Sequence, residues 1–149
     1  MRSDFQRKKV LVIGMARSGI AATKALCQAG AYVTINDIKP EAVLKEDIRE
    51  LKGLPIEIRL GEQADHLVDG KDLIVISPSV PIESSFVQRA GALNIPVYSE
   101  LELGYRMCSA PIVAITGTNG KTTTTSLVGQ IFNDAKRSNH VVGNIGIPF

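Results

Sequence analysis

Four apolar residues in a row, Val10-Leu11-Val12-Ile13, run without a polar interruption and stop at Gly14. A strand with one wet face alternates apolar and polar positions, so an unbroken run marks a strand covered on both faces, as in the middle of a parallel sheet. Leu73-Ile74-Val75-Ile76 repeats the pattern. Between the two runs, small and apolar residues recur at helical spacing over residues 20–29, with Gly30 placed as a C-terminal cap. Tyr32-Val33-Thr34-Ile35 then reads as a strand, residues 40–51 as a helix opened by Pro40, and Ile56-Glu57-Ile58-Arg59-Leu60 as a third strand. A helix over about residues 84–93 and a short strand at Pro96-Val97-Tyr98 complete the series. Strands alternating with helices predict an α/β fold, a Rossmann-like parallel five-stranded sheet with helices on both faces and right-handed crossovers.

After Tyr98 the alternation starts again. A helix over residues 100–107 leads through Ala110-Pro111 into a new apolar run, Ile112-Val113-Ala114-Ile115, and a second glycine-rich turn. The segment beyond places Leu127, Val128, Ile131, Phe132 and Ala135 on one helical face, the spacing of a helix that lies on a sheet. The expected organisation is a first domain over residues 1–97 and, over residues 98–149, the first β-α-β unit of a P-loop ATPase domain. Such a domain needs roughly a hundred residues. The chain is therefore expected to stop inside its second domain, with the remainder missing and the apolar faces from residue 112 onward loosely held or self-associating.

The balance of 17 basic and 15 acidic residues gives a net charge of +2 with no lysine cluster, so nucleic acid is excluded as a partner and anions must be bound locally. Cys27 and Cys108 are far apart and read as buried, reduced thiols, not a disulfide framework or zinc knuckle. No apolar run approaches a membrane span of about 18 residues. The basic N-terminus lacks a signal-type apolar core, which predicts a cytoplasmic protein. His66 and His140 are isolated, and the mixed charges of residues 45–52 describe a solvated helix face.

Two loops carry the chemistry. In Thr116-Gly117-Thr118-Asn119-Gly120-Lys121-Thr122-Thr123 the glycines let backbone approach phosphate oxygens, and successive N–H groups can turn inward. Lys121 supplies a charge for the β- and γ-phosphates, Thr122 a hydroxyl for magnesium, and the helix that starts there its positive dipole end. The spacing is G-x-x-G-K-T, because Ile115 stands where the first glycine of the longer P-loop pattern belongs. The other loop, Gly14-Met15-Ala16-Arg17-Ser18-Gly19, has Ala16 in place of the middle glycine of a dinucleotide fingerprint, which favours another nucleotide or a sugar nucleotide over NAD. Asp37, eighteen residues after Gly19, sits where an acid can accept a hydrogen bond from a nucleoside. Ser77-Pro78-Ser79-Val80-Pro81 leaves the carboxyl end of the fourth strand and is either a ligand-contacting loop or a proline turn.

Ala114-Ile115-Thr116-Gly117-Thr118-Asn119-Gly120-Lys121-Thr122-Thr123, with Gly143-Asn144-Ile145-Gly146 about twenty residues on, resembles the ATP site of the Mur ligase superfamily. Gly14 to Gly19, Asp37, and Ser77-Pro78-Ser79 followed by a helix and Val97 to Leu103 resemble the N-terminal domain of its D-glutamate-adding branch, over about the first third of such an enzyme. The resemblance implies an ATP- and magnesium-dependent ligase. It phosphorylates the alanyl carboxylate of UDP-N-acetylmuramoyl-L-alanine, and the amino group of D-glutamate attacks the acyl phosphate, in peptidoglycan precursor synthesis. It also implies that Arg17 and Ser18 lie against the diphosphate, that Asp37, Ile38 and Lys39 hold the uridine, and that Ser77, Pro78 and Ser79 touch its uracil-ribose side. Asn144 would reach the muramoyl portion, Gly117 to Thr123 would hold ATP, and Thr122 the metal. The family's later acidic magnesium ligand, its modified lysine and its C-terminal domain would fall beyond Phe149, so the segment alone is expected to be inactive. The competing readings are the neighbouring L-alanine-adding ligase and a Rossmann-like NAD or nucleotide-sensing module. Folylpolyglutamate synthases open with the ATP motif, whereas about 110 residues precede it here.

Overall fold

The computed structural model describes residues 2–143. Compactness divides the chain into two units, Met1–Cys108 and Ser109–Phe149.

The first unit is a five-stranded, all-parallel sheet in the order β3-β2-β1-β4-β5. Its strands are β1 (Lys9–Ile13), β2 (Tyr32–Asp37), β3 (Ile56–Leu60), β4 (Leu73–Ile76) and β5 (Val97–Ser99). The helices are α1 (Arg17–Gln28), α2 (Lys45–Glu50), α3 (Ser85–Ala92) and α4 (Glu100–Met107), with 3₁₀ turns at Arg2–Phe5 and Asp65–Leu67. The two unbroken apolar runs became β1 and β4, which lie side by side in the middle of the sheet, and every residue of β4 is buried.

Alternate residues feed two cores. Val10, Val12, Val33, Ile35, Leu73 and Val75 pack with Leu26 of α1, Leu103 of α4 and the α2 flanks Leu44 and Leu51. Leu11, Ile13, Ile74 and Ile76 pack on the opposite face with Phe86 and Ala90 of α3 and with Ala64 and Val68 around the second 3₁₀ turn. Right-handed crossovers require this split: moving outward from β1 to β3 puts α1 and α2 on one face, and crossing back to β4 and β5 puts α3 on the other. Strand β3, at the edge, alternates Ile56, Ile58 and Leu60 inward with Glu57 and Arg59 outward.

Helix α4 belongs to the first unit by its packing, because Leu103 is 2% exposed in the core shared with α1. The compact unit therefore runs to Cys108, where the alternation of the sequence suggested a break after residue 97. Ser99 caps α4 by accepting the Glu102 N–H at 3.1 Å, and Arg106 lies over the Tyr98 ring at 4.5 Å. The α2 segment is shorter than the predicted residues 40–51. Single i+3 bonds from the Val43 N–H to Pro40 O and from the Leu44 N–H to Glu41 O make a turn first, and regular helix begins only after Leu44 enters the core.

In the second unit α5 (Lys121–Asp134) forms as expected, but residues 112–115 do not form the predicted strand. A strand is stabilised by pairing with a neighbour, and among the described residues no strand is paired with this run. Ile112, Val113, Leu127 and Ile131 are all at least 42% exposed, as the expectation of uncovered apolar faces requires. Both cysteines are only partly buried, and burial pushes the Cys27 thiol up.

Candidate functional site

The carboxyl ends of β1, β2 and β4 meet where the chain turns outward in opposite directions, the position at which open α/β sheets bind ligands. Three loops converge there. Gly14 follows β1 with φ +96°, a conformation open to glycine, and its N–H donates to Asn36 O at 2.8 Å. The Met15 N–H donates to Asp37 Oδ2 at 2.8 Å, and the Lys39 N–H donates to Oδ1 of the same carboxylate at 2.9 Å. From the other side, Ser77 Oγ donates to Gly14 O at 3.1 Å, and the Ser77 N–H donates to Ile13 O at 3.0 Å.

Helix α1 starts immediately after this turn. Its N-cap is Ala16, which has no side chain able to cap, and the first helical bond runs from the Ile20 N–H to Ala16 O at 3.0 Å. The N–H groups of Arg17, Ser18 and Gly19 therefore have no acceptor within the helix. Gly19 fulfils the packing role of a fingerprint's last glycine. A methyl group there would lie 1.9 Å from Gly14 O, so only glycine lets the helix seat on the turn.

The predicted substrate residues divide by what they touch. Arg17 is exposed at the head of α1, and Ser18 beside it is partly buried. Ile38, Lys39, Pro78 and Ser79 are exposed around the rim. Ser77 is 2% exposed, and the Asp37 carboxylate accepts two backbone N–H groups with its two oxygens. Asn36, 1% exposed, was not singled out by sequence; its side-chain amide donates to Arg59 O and Glu62 O, tying the end of β3 to the same edge. Its position directly after the Tyr32-Val33-Thr34-Ile35 strand run was the available signal. Asn144 lies outside the described residues. A separate cleft of about 430 Å³, lined by Pro40, Glu41, Ile48, Ile58, Leu60 and Gly61, opens beside β3 and contains none of the predicted site residues.

In the second unit, Gly117 has φ +145° and Gly120, the N-cap of α5, has φ +78°. The first bond of α5 runs from the Thr124 N–H to Gly120 O at 2.9 Å, which leaves the N–H groups of Lys121, Thr122 and Thr123 without a helical acceptor. No side chain caps this end. The Lys121 ammonium folds back over the loop and donates to Gly117 O, and to Thr118 O at 3.2 Å. The residues from Gly117 to Thr123 thus form a glycine-hinged turn that opens onto a helix N-terminus, with one cation in its mouth. That arrangement suits a polyanion. Among the described residues no group of three His, Cys, Asp or Glu side chains could hold a metal ion.

Sequence comparison agrees with this geometry. The profile of the Mur ligase MurD-like N-terminal domain matches residues 8–99, and that of the Mur ligase middle domain matches residues 115–148. The chain belongs to the Mur ligase MurD-like family. It is 50% identical over 148 residues to the UDP-N-acetylmuramoylalanine--D-glutamate ligase of Alkaliphilus oremlandii, covering 98% of this chain and 33% of the relative. The enzyme of the same name from Caldanaerobacter subterraneus is 47% identical over 145 residues, covering 97% and 32%. The chain therefore spans about a third of the length of the curated relatives it matches. Among solved structures, the UDP-N-acetylmuramate:L-alanyl-gamma-D-glutamyl-meso-diaminopimelate ligase of Neisseria meningitides is 22% identical. It aligns with a TM-score of 0.59 over 87% of this chain and 40% of that one. The UDP-N-acetylmuramate-alanine ligase of Thermotoga maritima gives 0.54 at 24% identity, over 89% and 30%. At these identities the two structures establish the fold alone. No helix among the described residues is long and apolar enough to cross a membrane.

Proposed function

We propose that this segment is the nucleotide-binding part of an ATP-dependent ligase that joins D-glutamate to UDP-N-acetylmuramoyl-L-alanine through an acyl phosphate. Its place is cytoplasmic peptidoglycan precursor synthesis, where both nucleotides are at hand. The family membership and the relatives' shared name support this reading. The observation that carries it is the uncapped N-terminus of α5, whose three acceptor-free N–H groups stand beside the Lys121 ammonium.

Phosphoryl transfer needs positioning and charge neutralisation more than covalent groups from the protein. When ATP arrives, Lys121 exchanges the carbonyls of Gly117 and Thr118 for phosphate oxygens, while the N–H groups of residues 121–123 hold the phosphates in place. The residues present fit magnesium as one partner among several. Thr122, exposed in the first turn of α5, offers a hydroxyl, and this ion takes few protein ligands and retains waters. Bound there, magnesium would draw off charge from the phosphates. In the first unit the N–H groups of Arg17, Ser18 and Gly19 receive the diphosphate of the uridine ligand, with Ile38, Lys39, Pro78 and Ser79 around the nucleoside. Asn144 is assigned to the muramoyl portion on sequence alone.

A thermal-unfolding titration tests the assignment. UDP-N-acetylmuramoyl-L-alanine should stabilise the chain by about 2.7 kcal/mol at a hundredfold excess over its Kd, and NAD should not. Stabilisation by NAD alone would replace the ligase reading with that of a dinucleotide sensor. The segment by itself should yield no D-glutamate-dependent ADP, since the relatives are three times as long.

A further inference from the structure

The turn that presents α1 has no capping side chain, and what fixes it is a single peptide unit. Gly14 O and the Met15 N–H belong to the same peptide plane. Ser77 Oγ donates to its carbonyl at 3.1 Å, and Asp37 Oδ2 accepts from its N–H at 2.8 Å. One partner ends β2 and the other follows β4, the two strands that flank β1. The clamp therefore spans the sheet at the point where the ligand cleft opens.

Both partners are committed to it. Ser77 is 2% exposed and has one hydroxyl proton, already donated. The second Asp37 oxygen accepts the Lys39 N–H, so the same carboxylate also fixes the start of the β2–α2 connection. Donation to one end of a peptide and acceptance from the other polarise it in the same sense, so the two bonds reinforce each other. Space is equally tight. A methyl group at Gly14 would lie 2.8 Å from Ser77 Oγ, and one at Gly19 1.9 Å from the clamped carbonyl, which makes that carbonyl the seat of the helix.

We propose that Asp37 and Ser77 are positioning residues: together they pin the peptide joining Gly14 to Met15, and so aim the uncapped N–H groups of α1 at the diphosphate without contacting the nucleoside. The proposal rests on the cleft being the UDP-ligand site. It reverses what the sequence suggests for both residues, namely contact with uridine and with its uracil-ribose side.

Ligand discrimination separates the two roles. The chain and its Asp37→Ala, Asp37→Asn and Ser77→Ala variants are titrated with UDP, CDP and 2′-deoxy-UDP, with unfolding curves confirming that each variant is folded. A positioning role predicts that Asp37→Ala weakens all three ligands by the same factor, about tenfold for the loss of a charge-assisted bond, and leaves their ratios unchanged. Asp37→Asn, which keeps an acceptor oxygen, should recover part of the loss. Because both residues hold one peptide plane, the double variant should lose less than the product of the single losses. Collapse of the UDP-to-CDP or UDP-to-deoxy-UDP ratio in Asp37→Ala would show direct contact and overturn the proposal, as would multiplicative losses. Should the parent chain bind none of the three, the UDP reading fails, yet the clamp is still tested by amide exchange without ligand. There the Met15 amide should exchange faster in both Asp37→Ala and Ser77→Ala. Unchanged exchange would refute the clamp on its own.

Discussion

The sequence writes a strand, a glycine turn and a helix twice, from Val10 and again from Ile112, and only the first writing produces a strand. The helices form in both units, since α-helical bonds are local and each needs only the turn before it. Strands are different. Residues 10–13 have β2 on one side and β4 on the other, whereas no described strand pairs with residues 112–115. The same contrast runs through the turns: the first is held by Asp37, Asn36 and Ser77 at the ends of neighbouring strands, and the second, among the described residues, by its own Lys121.

Amide exchange should show the largest difference. Val10, Leu11 and Val12 are completely buried in the middle of the sheet, so their amides should open only with the whole unit, at a free energy of about 5 kcal/mol or more. Residues 112–115, outside any ladder, should exchange at close to unprotected rates. Comparable protection in the two runs, in a chain shown to be monomeric, would mean that the second is paired after all.

The glycines sharpen the comparison at the next level. Gly19→Ala drives a methyl into backbone 1.9 Å away, and the helix must lift off its seat; the expected loss is about 4 kcal/mol, read from urea unfolding. Gly120→Ala meets no atom within 4 Å, and its cost is the left-handed φ of +78°, about 1–2 kcal/mol. If the two substitutions cost the same, the seating of α1 on Gly14 O does not control the first turn.

Packing gives a smaller separation. Leu11→Ala leaves a cavity in a fully buried position and should cost about 3 kcal/mol, while Leu127→Ala, 60% exposed, should stay within about 0.5 kcal/mol. A large loss at Leu127 would indicate that self-association covers the exposed face of α5.

The same physics decides how much of this was legible in sequence. Val10-Leu11-Val12-Ile13 and Leu73-Ile74-Val75-Ile76 announced a doubly covered sheet because burial on both faces excludes polar residues, and the five-stranded parallel sheet followed from the alternation. Gly120 and Lys121 announced a glycine-hinged turn at a helix N-terminus with a cation beside it, because backbone conformation and charge are local properties. Pairing is not local, so Ile112-Val113-Ala114-Ile115 carried the composition of a strand with nothing to say whether a neighbour was present. Nor does residue type reveal where a side chain's hydrogen bonds go. Asp37 and Ser77 stand at strand ends, where ligand contacts are expected, and nothing in their residue type tells that their polar atoms also hydrogen-bond around the Gly14 turn.

The smallest expected effect concerns pH, and it too should belong to the first unit. The Arg59 guanidinium, followed by the Thr34 hydroxyl, hydrogen-bonds the Glu57 carboxylate and holds it below the usual carboxylate range. A depressed acid contributes stability that is complete above its unfolded value, 4.5, and is lost as pH falls through the lower folded value, because the unfolded chain takes up the proton first. Glu57 is half exposed, so solvent screens the contribution and keeps it small. Glu57→Gln should therefore leave the Tm nearly unchanged at a pH below the folded value, where wild-type Glu57 has itself lost its charge, and lower it slightly at pH 7, which flattens the acid limb of the Tm profile. An acid limb identical in the two proteins would show that the Glu57 charge contributes nothing to the edge of the sheet. A Tm lowered equally at both pH values would assign the effect to shape and hydrogen bonding instead of charge.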